Sequence, residues 1–161
     1  MRLARNRDCA ASALAAFIVS AVALTTLGSS LALAVDTVTS KDAPDLTSVR
    51  ANIKAKDYQA ALTELKLLTD THQHADVYSL LGFSLRKTGD YATALTFYKK
   101  ALDFDANHMG AREYLGELYV ETGDLSKARE QLVVLTKLCP QGCEEREDLE
   151  KALASAAPKT N

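Results

Sequence analysis

The 161-residue sequence lacks the short signatures that carry chemistry. It holds no G-x-S-x-G elbow, no H-E-x-x-H pair, no P-loop and no glycine fingerprint following a strand. No catalytic residue, metal ligand set or cofactor is therefore expected. A basic excess is also lacking, with 19 Lys and Arg against 21 Asp and Glu. Nucleic acids and anionic membranes both demand dense Lys and Arg, which argues against either as a partner. The three histidines, His72, His74 and His108, lack the carboxylate–histidine spacing of a metal site and read as turn residues. Cysteine is limited to Cys9, Cys139 and Cys143. No Cys-x-x-Cys within a βαβ pattern suggests redox chemistry.

What is present begins with a tripartite N-terminus. Arg2, Arg5 and Arg7 precede an apolar stretch from Ala10 to Leu27 and then Ala32-Leu33-Ala34, the three parts of a secretory signal peptide. Cleavage is expected after Ala34, with export to the periplasm; an uncleaved membrane anchor is the competing reading. Asn6 separates Arg5 from Arg7, so there is no twin-arginine pair, and Cys9 stands too early for a lipid anchor. Cleavage removes three arginines and one aspartate and leaves 16 basic against 20 acidic residues. It also leaves two cysteines, Cys139 and Cys143, in an oxidising compartment. An even count there favours a disulfide, with a redox or metal role as the lesser alternative.

Beyond this segment the chain echoes itself at a period of 34 residues. Tyr78-x-x-Leu81-Gly82 returns as Arg112-x-x-Leu115-Gly116, Thr88-Gly89-Asp90 as Thr122-Gly123-Asp124, and Ala94 as Ala128. Such a period marks stacked helix–turn–helix units, none able to bury its apolar face alone. Apolar spacing predicts helices over 44–55 and 58–70, then 75–88 and 91–104, then 109–122 and 125–138. Gly89 and Gly123 fall where a helix ends left-handed, with Lys56 at that place in the first unit, where it costs on the order of 1 kcal/mol. Asp57, Asp90 and Asp124 follow as N-caps. Ala61, Ala94 and Ala128 are small where the two helices of a pair must approach closely.

The second unit (Tyr78, Leu81, Gly82, Gly89, Tyr91, Ala94, Tyr98, Ala101) and the third (Leu115, Gly116, Tyr119, Gly123, Ala128, Pro140) resemble the tetratricopeptide repeat family. The resemblance implies an all-α, short right-handed solenoid of about three helix pairs. The expected organisation is a signal peptide at 1–34, a linker at 35–41 and an array at 42–142. The array divides into a degenerate repeat at 42–74 and repeats at 75–108 and 109–142. A capping helix at 143–157 and a tail at 158–161 complete the chain. Leu149 stands 34 residues after Leu115, and the charges at Glu144 to Asp148, Glu150 and Lys151 read as the cap's solvated face.

In this family the first helix of each pair lines a concave groove that docks partners. By resemblance the inward positions are Leu46, Arg50, Ile53 and Lys54 in the first unit, and Ser79, Leu80, Phe83, Arg86 and Lys87 in the second. The third contributes Glu113, Tyr114, Glu117, Val120 and Glu121. The carboxylates of Glu113, Glu117 and Glu121 recur at helical spacing and repel one another. They either pair internally with Arg86 and Lys87 or face a partner. The family's clamp for peptide carboxylates is absent, since its places hold Leu46, Arg50, Leu80, Gly110 and Tyr114. The expectation is a non-catalytic scaffold or adaptor of the bacterial envelope, docking a peptide or helix of another envelope protein. A membrane-tethered assembly factor, or a metal or redox protein using Cys139 and Cys143, stands as the alternative.

Overall fold

The computed structural model describes residues 43–156. The signal peptide, its cleavage after Ala34, the linker and the tail at 158–161 lie outside the described residues. Among the described residues seven helices follow one another: α1 (Thr47–Lys54), α2 (Tyr58–Thr71), α3 (Ala75–Lys87), α4 (Tyr91–Phe104), α5 (Met109–Glu121), α6 (Leu125–Leu138) and α7 (Glu144–Ala156). Among the described residues there is no strand, and no helix is long and apolar enough to cross a membrane. The fold is an all-α repeat solenoid: each helix packs on the next, α3 also meets α5, and α5 also meets α7.

The turns repeat because their chemistry repeats. At the end of α1 the Asp57 N–H donates to the Asn52 carbonyl at 2.9 Å; Asp90 and Asp124 donate likewise to Leu85 at 2.9 Å and Tyr119 at 2.8 Å. The residue before each aspartate has positive φ: Lys56 at 61°, Gly89 at 90° and Gly123 at 84°. Each aspartate then caps the following helix, accepting from Ala60 N at 3.0 Å, Thr93 N at 3.1 Å and Lys127 N at 3.2 Å. His74 and His108 cap α3 and α5 through Nδ1, accepting from Asp76 N at 3.2 Å and Ala111 N at 3.0 Å. The imidazoles therefore satisfy free helix N–H groups, as turn residues would.

The helix expected from residue 44 begins at Thr47 instead. Asp45 Oδ1 accepts from the Thr47 N–H at 2.9 Å, and this local side-chain bond holds the backbone in a turn ahead of the helix. Leu46 and Ile53, expected to face inward, join the core with Val49, Leu62, Leu65 and Leu81. Ala61, Ala94 and Ala128 are fully buried at the tight crossings. A methyl on Gly82 would meet the Tyr98 ring at 2.7 Å, and one on Gly116 would meet Leu149 Cδ2 at 2.5 Å. Leu149 is completely buried, so α7 packs as the next beat of the array. Cys139 and Cys143 flank the turn into α7 with Cα atoms 6.0 Å apart.

Candidate functional site

The odd-numbered helices expose one side to a common groove of about 490 Å³, lined by α1, α3, α5 and α7. Its lining is mostly charged and polar, with an aromatic pair within it. Phe83 and Tyr114 pack at a centroid distance of 4.8 Å, and Tyr58 meets Phe83 edge-on at 6.3 Å. Leu80 adds to the lining on α3. The aromatic pair adds about 0.5–1.5 kcal/mol beyond burial and presents a firm surface. Lys87 Nζ stands 5.2 Å from the Phe83 centroid, within cation–π reach.

The predicted inward residues divide into three groups. Arg50, Ser79, Leu80, Phe83, Lys87, Glu113, Tyr114 and Glu117 line the groove. Lys54 is exposed but lies outside the lining, and so does Glu121. Arg86 is the correction: it is only 2% exposed. Its guanidinium bonds Glu121 at 2.6 Å and makes a second short ion pair with Glu117. Burial works against its charge, yet Tyr98, Glu117 and Glu121 hold it more firmly protonated than usual. A buried cation needs such partners because bare desolvation costs several kcal/mol. Arg86 thus ties α3 to α5 beneath the groove and is not available to a ligand.

The internal-pairing reading of the acidic stripe holds for Glu117 and Glu121, both of which pair with Arg86. Glu113 stands apart from them. It is 8% exposed and, among the described residues, has no ion pair. Burial pushes its carboxyl up to about 8, and Glu117, Asp148 and Glu145 add to the rise against an opposing pull from Arg86. Burial, with Glu113 and Glu117 nearby, likewise pushes the Tyr114 phenol up to about 12.

Sequence reasoning missed the groove's two ends. Glu144, Glu145 and Asp148 of α7 line it, although the cap's charges read as a solvated face. The signal lay in the phase: if Leu149 occupies the core place of Leu115, its neighbours must fall on the groove side. At the other end Asp76 accepts from or pairs with His108 Nε2 at 3.1 Å and lies 3.7 Å from Arg50. The His108 hydrogen bond is the main cause holding the Asp76 carboxyl below its ordinary value, with the charges of His108, His74 and Arg50 assisting. The groove is consequently polarised, with Arg50 and Lys87 towards α1 and α3 and carboxylates towards α5 and α7.

Residues 85–142 match the tetratricopeptide repeat family. Over 80 residues the chain is 30% identical to "Uncharacterized protein ycf37" of Pyropia yezoensis, covering 50% of this chain and 43% of that protein. The chain thus spans less than half the length of the curated relatives it matches. Among solved structures, the type III secretion translocator chaperone SycD of Yersinia enterocolitica superposes with a TM-score of 0.60 at 18% identity. That match covers 68% of this chain and 79% of SycD. PcrH in complex with the chaperone binding region of PopD gives a TM-score of 0.57 at 20% identity, covering 68% of this chain and 84% of PcrH.

Proposed function

We propose, on the premise that this chain carries tetratricopeptide repeats, that it is a non-catalytic scaffold or adaptor docking a segment of another protein in the groove of α1, α3, α5 and α7. One observation carries the reading: a groove of about 490 Å³ whose largely charged lining also includes Leu80, Phe83 and Tyr114, a concavity of the size that takes a ligand. The groove suits an extended peptide or a single helix, with Leu80, Phe83 and Tyr114 taking apolar side chains. The solved complex of PcrH with a region of PopD supports a peptide as the occupant of such a fold.

The setting we propose is the bacterial envelope, reached through the N-terminal signal with cleavage after Ala34. There Cys139 and Cys143 form a disulfide that fastens α7 to the end of α6; their Cα separation of 6.0 Å suits such a bond. Intact mass of the exported protein should show a mature N-terminus at Val35 and the loss of two hydrogens. The docking reading is tested by placing a photo-crosslinking residue at Phe83 or at the exposed positions Leu67 and Val133 in cells. Capture of a discrete partner from Phe83 is expected. Capture from Leu67 or Val133 alone would overturn the groove as the docking site.

A further inference from the structure

Four carboxylates line the α5–α7 end of the groove: Glu113 on α5 and Glu144, Glu145 and Asp148 on α7. No basic side chain among the described residues is spent on Glu113 or Glu145. Lys151 reaches Asp148 at 2.8 Å from an exposed position, Arg146 pairs with Glu150, and Arg86 is consumed by Glu117 and Glu121. A buried carboxylate facing others of its own sign costs stability, and among the described residues only the more distant charge of Arg86 works against that cost.

A second observation points to a ligand. Ser79 is 2% exposed, lines the same groove, and its Oγ has no hydrogen-bond partner among the described residues. Buried hydroxyls are ordinarily satisfied, so an orphan on a groove wall marks a place where a donor or acceptor is missing. We propose, building on the docking reading above, that the partner segment inserts one arginine or lysine side chain between α5 and α7. Its cationic head meets the carboxylates of Glu113, Glu145 and Asp148, and an adjacent apolar side chain of the same segment rests on Leu80, Phe83 and Tyr114.

Charge complementarity favours this occupant over an acidic or wholly apolar one. The groove's own cations, Arg50 and Lys87, stand at the opposite end. Arg50 already faces Asp76, and Lys87 lies over Phe83. The raised Glu113 carboxyl fits as well, because an entering cation would replace the proton that now neutralises it.

A phage-displayed library of random peptides, selected on the folded protein, tests the idea. Selected sequences should share an arginine or lysine beside a large apolar residue. In a synthetic copy, arginine replaced by neutral citrulline should bind about tenfold more weakly, a loss of about 1.4 kcal/mol. On Glu113→Gln that penalty should shrink below about threefold. The isosteric change mimics the protonated carboxyl that the fold already holds, so folding is not at risk. Consensus peptides without a basic residue, or an undiminished citrulline penalty on Glu113→Gln, would overturn the cation pocket while leaving groove docking intact. Peptides that bind Phe83→Ala as well as the native protein would overturn groove docking itself.

Discussion

Lys56 has a backbone φ of 61° in a turn whose two counterparts use glycine. A side chain there costs about 1–2 kcal/mol by contact of Cβ with the following carbonyl. Glycine would remove that strain but add freedom to the unfolded chain, so Lys56→Gly should stabilise the protein by a net of about 0.5–1 kcal/mol. A urea midpoint that stays constant or falls would refute this. Glu113 makes the opposite kind of residue-level statement. Its carboxyl sits at about 8 in the fold against an ordinary 4.5, so the folded state keeps a proton that the unfolded chain has lost. Its contribution is complete below about pH 4.5 and drains away as pH rises through about 8. Glu113→Gln should therefore raise the melting temperature by a few degrees above about pH 8, and by little below about pH 5. Equal shifts at both ends would show that charge is not the cause.

At the scale of elements, the two glycines in helices show how closely their neighbours approach. Gly116 meets Leu149 of α7 at distances that leave no room for a methyl. Because Leu149 is the fully buried residue of α7, displacing it should loosen the whole helix. Gly116→Ala should cost about 1–3 kcal/mol and speed amide hydrogen exchange in α7 more than in α3 or α4. Uniform acceleration along the array would contradict that account. The seven helices themselves were readable from the sequence, since apolar spacing, the aspartate caps and the left-handed turn residues all point to the same boundaries. The exception, the start of α1, came from a two-residue bond between Asp45 and Thr47, which competes with the helix and leaves no periodic signature.

Across the whole of the described array, stability is shared between units through their interfaces. Arg86 is a buried polar link, joining α3 to Glu117 and Glu121 of α5. Arg86→Leu would strand those carboxylates, although their partial exposure softens the penalty, and should cost about 2–4 kcal/mol. It should also split unfolding, with α5 to α7 exchanging ahead of α1 to α4 in hydrogen-exchange mass spectrometry. A single cooperative transition in the variant would show that apolar packing alone couples the units.

The sequence by itself determined the helix pairs, their turns, the close-packing alanines and the phase that makes Leu149 a core residue. These rest on local chemistry and on a period that any window of the chain displays. It also indicated most of the groove, namely Arg50, Ser79, Leu80, Phe83, Lys87, Glu113, Tyr114 and Glu117. Only the tertiary structure decided which charges are used up inside and which remain. Arg86, Lys87 and the three glutamates occupy equivalent-looking helical positions, and their fates depend on the few ångströms separating neighbouring helices. Packing buried Arg86 against Glu117 and Glu121, left Glu113 without an ion pair among the described residues, and turned Glu145 and Asp148 of the cap towards the groove. Electrostatic energy varies with distance and burial, neither of which a linear pattern contains.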